Sequence, residues 1–194
     1  MKLFYWKTFI STLRKKLEDV SVNDASGKFL DFDKGIEKWL EYTTALKTRG
    51  VVYLIGNGAS ASMASHFAAD LAKNARLHTQ VFSDLSLITA ISNDMGYEQV
   101  FLEPLKRRGK KGDMLIAISS SGSSENILKA SEYGKSLGMK VISLSGMSSE
   151  NPLRKMGNIN FYVSADTYGL VETCHATILH YWMDLLSNRT PQTR

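Results

Sequence analysis

The chain has 194 residues, 43% of them hydrophobic and 22% charged, which is typical of a soluble globular protein with one hydrophobic core. Its apolar runs are too short for a membrane span of about 20 residues, and we expect no membrane partner. The net charge of +5 permits nucleic-acid binding, but the dense basic segments 14–16 and 106–111 lack interleaved aromatic residues and match no known motif, so none is expected.

Helical spacing of apolar residues predicts two amphipathic helices at the start of the chain, from about Leu3 to Leu17 and from Phe29 to Leu46. From Val51 onward, short apolar runs alternate with helix-forming segments. The predicted strands are 51–56, 78–83, 113–119, 140–146 and 159–164. The predicted helices of this part are 61–75, 86–94, 124–138, 151–157 and 169–186.

This order predicts an α/β fold, a parallel five-stranded sheet with helices on both faces in a three-layer sandwich. We expect a single domain over 1–194, with N-terminal helices in 1–48 used in packing or oligomerisation and an α/β core in 51–188. Ligands of such sheets bind beyond the carboxyl ends of the strands. Two unusual loops, "GNGAS" and "SSSGSS", fall at that edge.

The first loop, 56–61, formally matches the dinucleotide pattern G-x-G-x-x-G/A. Asp84 follows the next strand at a suitable distance for a ribose contact. Two observations count against a dinucleotide site. About fifty residues predicted as helices precede the strand, and a second phosphate-type loop follows two strands later, which a dinucleotide half-site does not require.

The second loop contains five serines around Gly122, immediately before a helix. A glycine can adopt positive φ, and the free amides and the dipole of a helix N-terminus favour an anion. The pattern therefore predicts a site for a phosphate monoester. The alternative is a helix cap with spare serines, because serine is common at N-caps. The phosphate-binding candidates of this loop are Ser119, Ser120, Ser121 and Ser124.

Two helices carry candidate acid/base residues. His66 and Asp70 are four residues apart, hence on one helical face, and the closing helix carries Glu172, His175 and His180. An isolated helical histidine is commonly a hydrogen-bonded core residue. Here, however, the helix that follows the first loop carries a histidine and a carboxylate, and the closing helix carries a second such set. Two sets of this kind favour a functional site.

The segments "GNGAS", "FSD", "SND", "GDMLIAISSSGSS" and "KVISLSG", in this order, resemble the SIS (sugar isomerase) domain family over nearly the whole chain. The segments "HFAAD" and "ETCHATILH" resemble its phosphoheptose isomerase branch. The resemblance implies isomerisation of sedoheptulose 7-phosphate to D-glycero-D-manno-heptose 7-phosphate through an enediol, a homotetramer with sites at subunit interfaces, and one zinc ion per site.

The resemblance also implies roles for individual residues. Asp70 is the first candidate for the base, His180 for the acid, and Glu172 is an alternative base. The implied substrate-binding positions, besides the four serines and Glu172, are Asn57, Gly58, Ala59, Ser60, Asn93 and Asp94. The implied zinc ligands are His66, Asp70, Glu172 and His180, a mixed nitrogen and oxygen set that suits zinc.

Glu172 and His180 lie about 12 Å apart along a helix and are turned by about 80°, so one copy of the helix cannot easily supply both to one ion. Either Glu172 pairs with His175, or the site is assembled between subunits. The chain departs from the family pattern at four positions. Asp70 replaces a glutamate, Glu172 a glutamine, Gly169 an aspartate and Asn74 a basic residue. These changes leave the phosphate loops intact and put heptose specificity in question.

Two alternatives remain open: a non-catalytic SIS protein that binds sugar phosphates or acts as an adaptor, and an isomerase of another sugar phosphate. A carboxylate at 70 together with His180 disfavours the adaptor, because a pure binder needs no acid/base pair. The single cysteine, Cys174, cannot form an intramolecular disulfide, and we expect a cytoplasmic location.

Overall fold

The computed structural model describes residues 5–46 and 50–189. Within them the elements in chain order are α1 (Trp6–Glu18), β1 (Ser21–Asp24), β2 (Phe29–Leu30), α2 (Phe32–Thr44), β3 (Val51–Gly56), α3 (Ala59–Ala75), β4 (His78–Val81), α4 (Leu85–Met95), a 3-10 turn (Tyr97–Gln99), α5 (Leu102–Arg108), β5 (Met114–Ser119), α6 (Glu125–Leu137), β6 (Lys140–Gly146), a second 3-10 turn (Pro152–Lys155), β7 (Ile159–Val163) and α7 (Tyr168–Arg189). Among the described helices, none combines the length and apolar character needed to cross a membrane.

The strands form one sheet in the order β2-β1-β7-β6-β5-β3-β4. The last five strands of this order are parallel to one another, and β1 is antiparallel to both β7 and β2. The predicted α/β class, with a parallel sheet between helical layers, is confirmed. The predicted number of five strands is wrong, because the described sheet has seven.

The two additional strands form a hairpin within the segment that separates the two N-terminal helices. Its turn is held by Asp24, whose carboxylate accepts the backbone N–H groups of Ser26 and Lys28, and by Gly27 at φ +83°. Consequently α2 begins at Phe32, capped by Asp31, and not at Phe29 as predicted. The start of the first predicted helix, at Leu3 and Phe4, lies outside the described residues.

One further local prediction was wrong, and one helix was missed. The predicted helix 151–157 is only a 3-10 turn, since Asn151 caps its start and Gly157 turns the chain back towards β7. Helix α5, which includes much of the basic segment 106–111, lies in a segment for which no element was predicted.

Apolar side chains fill both faces of the sheet. One face packs against α1, α2, α3 and α7, and the other packs against α4, α5 and α6. All six residues of β5, the middle one of the five parallel strands, are buried. On the α7 side the rings of Trp39 and Trp182 stack 4.1 Å apart, centroid to centroid, and fix α7 against α2. A closely packed core of this kind holds the helices that carry the candidate acid/base residues.

Candidate functional site

The two unusual loops are neighbours at the carboxyl edge of the sheet. Strand β3 pairs directly with β5, with Gly56 opposite Ile118, so the loop after β3 and the serine loop after β5 emerge side by side. This is the edge at which open parallel sheets bind ligands.

The serine loop is held in one conformation by its glycine. Gly122 has φ +63°, and its N–H donates to the carbonyl and the hydroxyl oxygen of Ser119. A Cβ at this position would overlap the side-chain amide of Asn151. Asn151 cannot withdraw freely, because it donates to the carbonyl oxygens of Gly146 and Ser148. The loop therefore requires glycine at 122.

The serine hydroxyls divide into loop-forming and available groups. The Ser119 hydroxyl accepts from Gly122, and the Ser121 hydroxyl accepts from the N–H of Ser123 at 3.3 Å. Ser124 is the N-cap residue of α6, yet its side chain makes no capping hydrogen bond to a described residue. The buried Ser120 hydroxyl likewise has no partner among the described residues. A role as a simple helix cap does not account for this loop, and hydroxyls remain for a ligand.

The first loop enters α3 through Gly58, an exposed N-cap residue at φ +55°. The preceding glycine is required by packing, since a Cβ on Gly56 would lie 2.6 Å from the carbonyl oxygen of Ser60. Ala59 is exposed and Ser60 is buried in the first turn of the helix.

Asp84 has a structural role as a helix cap. Its carboxylate caps α4, accepting from the Leu87 N–H at 3.0 Å and from the Ser86 hydroxyl at 2.5 Å. These hydrogen bonds lower the pKa of Asp84. The position of Asp84 therefore has an explanation that does not involve a dinucleotide.

Beside the first loop lies a cavity of about 180 Å³. Asn57 and Gly58 form one side, and the end of β4 and the 3-10 turn at Tyr97 form the other. Asn93 and Asp94 do not line it. They are exposed on the last turn of α4, where Asn93 donates to the Asp94 carboxylate at 2.8 Å. Within the described residues, no side-chain hydrogen bond joins either of these predicted substrate-binding residues to the serine loop.

His66, Asp70 and His180 lie together. The Nε2 atom of His66 is 3.3 Å from a carboxylate oxygen of Asp70, one turn further along α3. The His180 ring, on α7, is 5.6 Å from the His66 ring and 4.7 Å from the Phe67 ring, centroid to centroid. The cluster is open to solvent, since the His66 side chain is 55% exposed and that of Asp70 is 27% exposed.

Glu172 and His175 occupy a different part of α7. His175 is fully buried, its Nε2 lies 3.1 Å from the carbonyl oxygen of Ser145, and its Nδ1 has no partner among the described residues. Burial lowers the pKa of His175 to about 4, so the ring is neutral at pH 7 and Nε2 donates to the carbonyl. Glu172 is partly exposed and does not pair with His175, which excludes the first of the two predicted arrangements within this chain.

Of the four predicted zinc ligands, His66, Asp70 and His180 lie near one another and Glu172 does not. The donor types of His66, Asp70 and His180 suit zinc. Within the part of the chain that the structure describes, however, no group of three or more histidine, cysteine, aspartate or glutamate side chains is arranged to hold a metal ion. One chain alone therefore does not present a finished metal centre.

The remaining departures from the family pattern are at the surface. Asn74 is exposed near the end of α3. Gly169, in the first turn of α7, has no atom within 4 Å of the position that a Cβ would take. A side chain at 169 would thus have had room, and its absence leaves open space beside the start of α7.

Sequence reasoning missed three residues that organise the loops. Asn126, in the first turn of α6, exchanges two hydrogen bonds of 2.9 Å with Asn57, and the Tyr97 hydroxyl donates to Asn57 at 3.0 Å. Asn151 supports Gly122 from the neighbouring loop. The sequence contains one usable signal for such a contact. Asn126 is a polar residue on the core-facing side of its helix, and a buried amide needs hydrogen-bond partners.

A family model described as "SIS domain" matches residues 33–146. A phosphoheptose isomerase of Helicobacter pylori (strain P12) is 38% identical over 147 residues, which cover 73% of this chain and 76% of that protein. One from Thermodesulfovibrio yellowstonii is 33% identical, covering 74% of both chains. The structure of a phosphoheptose isomerase from Francisella tularensis superposes with a TM-score of 0.80 at 28% identity, covering 94% of this chain and 96% of that one.

Proposed function

The chain belongs to the SIS domain family, within its phosphoheptose isomerase branch, and we propose that it converts sedoheptulose 7-phosphate to D-glycero-D-manno-heptose 7-phosphate. It is an aldose–ketose isomerase. The observation that carries the residue assignments is the juxtaposition of His66, Asp70 and His180 on two helices anchored in the core.

The serine loop supplies the phosphate site of this proposal. The hydroxyls of Ser120, Ser121 and Ser124 and the free amides at the start of α6 offer several donors to a dianion. The amides around Gly58 in the first loop extend this set, and Ala59 and Ser60 follow in the same helical turn. These loops would bind the phosphate of any sugar phosphate in the same way. Residues nearer the reacting carbons would therefore distinguish one sugar from another.

The isomerisation moves one proton between adjacent carbons. Asp70 removes a proton from C1 of the ketose while the C2 carbonyl oxygen gains one from His180, giving the enediol. Asp70 then returns its proton to C2, and His180 takes the proton of the C1 hydroxyl, which gives the aldehyde and restores both residues. Glu172 is the alternative base. His66, in contact with Asp70, orients the carboxylate.

We also propose that the working form is a cytoplasmic homotetramer in which each site combines residues of two copies. Glu172 lies at the loop end of α7 and His180 about 12 Å further along its axis, so both reach one substrate most readily from different copies. His66, Asp70 and His180 of one copy, with Glu172 of another, would hold zinc, which when bound polarises the substrate carbonyl. Elemental analysis tests this ligand set. The purified wild-type protein should retain zinc, and the His66→Ala variant should lose it.

Incubation with sedoheptulose 7-phosphate in D₂O, followed by NMR, tests the function. Aldose signals and deuterium at the exchanging carbon are expected, and chelator-treated and zinc-supplemented samples show whether metal is required. His180→Ala, at an exposed position, should remain folded and lose turnover. Folded protein that leaves this ketose unchanged but exchanges a proton of another sugar phosphate would assign that substrate instead, with Asp70, Gly169 and Glu172 as the responsible differences.

A further inference from the structure

Asn57 projects from the first loop, but its side chain is committed to the protein. Its Oδ1 accepts both from Asn126 Nδ2 and from the Tyr97 hydroxyl, and its Nδ2 donates to Asn126 Oδ1. An amide oxygen has two lone pairs, and both are used here. Only one N–H of Asn57 remains for a ligand.

The orientation of this amide pair follows from the backbone. Asn126 Oδ1 also lies 3.0 Å from the backbone nitrogen of Ile127, which can only donate. The oxygen of Asn126 must therefore occupy this position, and its reciprocal contact then fixes the amide of Asn57. Asn126 itself is 2% exposed, so the pair is shielded on the α6 side.

We propose that Asn57 is a positioning residue: with Asn126 and Tyr97 it fixes the spacing between the first loop and the serine loop. The inference rests on the proposed function for the identity of the substrate. A phosphate held by donors from both loops needs them at a fixed separation, and the amide pair is a direct side-chain tie between the two.

The 3-10 turn strengthens the tie from a third direction. Tyr97 reaches Asn57, and the next residue, Glu98, lies 3.6 Å from Lys129 on α6. Lys129 also pairs with Glu125, in the first turn of the same helix, at 3.1 Å. The pKa of Glu98 is lowered, chiefly by a hydrogen bond from its own backbone N–H and to a smaller extent by Gln99 and Lys129. The hydrogen bond to Glu125 raises the pKa of Lys129. The turn thus bridges the first loop and the start of α6.

A double-mutant cycle distinguishes positioning from direct binding. We expect Asn57→Ala and Asn126→Ala each to weaken binding of inorganic phosphate, measured by calorimetry, and to raise the KM for sedoheptulose 7-phosphate, by about tenfold, with kcat changed less than about threefold. Because each residue acts through the other, the double variant should be no weaker than the single variants. Tyr97→Phe should raise KM by about threefold alone and have no further effect in the Asn57→Ala background. Ser136→Ala, at the far end of α6, is the control and should change neither constant.

Multiplying effects in the double variant, about a hundredfold in total, would show that Asn57 and Asn126 act independently and would overturn the proposal. Variants with lower stability and kcat but unchanged KM would overturn it too, because that is the signature of a merely structural pair. A different outcome is that the variants show the expected non-additive losses of phosphate binding, but the wild-type protein does not isomerise the heptulose. This result would support the positioning role and refute the proposed function. If the wild-type protein isomerises the heptulose and the variants keep its KM and phosphate affinity, the positioning role alone is refuted. If the wild-type protein binds no phosphate, both the positioning role and the proposed function are refuted.

Discussion

The serine loop and the acid/base cluster are held in different ways. The loop follows a fully buried strand and is fixed from two sides, by Asn151 against Gly122 and by Asn126 against the first loop. The cluster of His66, Asp70 and His180 stands on helix surfaces and is open to solvent. The proposed phosphate site thus draws its donors from one chain, whereas the proposed proton-transfer cluster has one side uncovered.

This difference indicates what each part requires. A phosphate site works by fixed hydrogen-bond donors, which a single chain can supply. Proton transfer in a low-dielectric site requires exclusion of water, which an exposed helix face does not provide. We infer that a second copy of the chain covers the cluster, and the following substitutions separate the two parts.

The largest effect is expected from Asp70→Asn, which keeps the shape of the side chain and removes its basicity. Loss of a general base should lower kcat by about a thousandfold, with phosphate affinity and melting temperature near those of wild type. Steady-state kinetics, phosphate calorimetry and thermal unfolding measure the three quantities. Glu132→Gln, exposed on α6, is the matched control. An Asp70→Asn enzyme with kcat within tenfold of wild type would transfer the role of base to Glu172.

Next is the pH dependence of stability caused by His175. Its folded-state pKa of about 4 lies below the ordinary value of 6.5, so the unfolded chain binds the proton more readily. Its burial should therefore lower the free energy of unfolding by about 3 kcal/mol as the pH falls from 6.5 to 4, and have no such effect above pH 7.

Urea unfolding at several pH values should show this slope in wild type and a flatter one in His175→Gln. His78→Gln, exposed on β4, is the control. Parallel slopes for wild type and His175→Gln would mean that the buried ring does not carry this effect.

A smaller effect, confined to the phosphate end, is expected from Gly122→Ala. The added Cβ meets Asn151 and imposes positive φ on alanine, so the loop should distort and KM should rise by about thirtyfold. Gly27→Ala is the matched comparison, since Gly27 also has positive φ, at +83°, but has open space around it. It should lose about 1 kcal/mol of stability with an unchanged KM. Equal KM values for both variants would contradict the fixed-loop geometry.

Local patterns predicted the parallel strands and the two ligand-side loops, because continuous apolar runs and glycine punctuation are short-range signals. They also placed His66 and Asp70 on one face of α3. The hairpin of β1 and β2 was missed, since its turn depends on Asp24 and Gly27 inside a segment whose apolar spacing resembled a helix. The partners of Asn57 were beyond reach because Asn126 is distant in sequence and its pairing depends on strand order.

The most direct test of the central claim, that each site combines His66, Asp70 and His180 of one copy with Glu172 of another, is subunit complementation. Asp70→Asn protein is mixed with the Glu172→Ala variant under conditions of subunit exchange, and mixed oligomers are verified by native mass spectrometry. Intact sites then form wherever Glu172 of the first variant meets a cluster of the second, and random assembly should restore about a quarter of wild-type turnover. Verified mixed oligomers that remain as inactive as their parents would contradict the account and place the whole site within one chain.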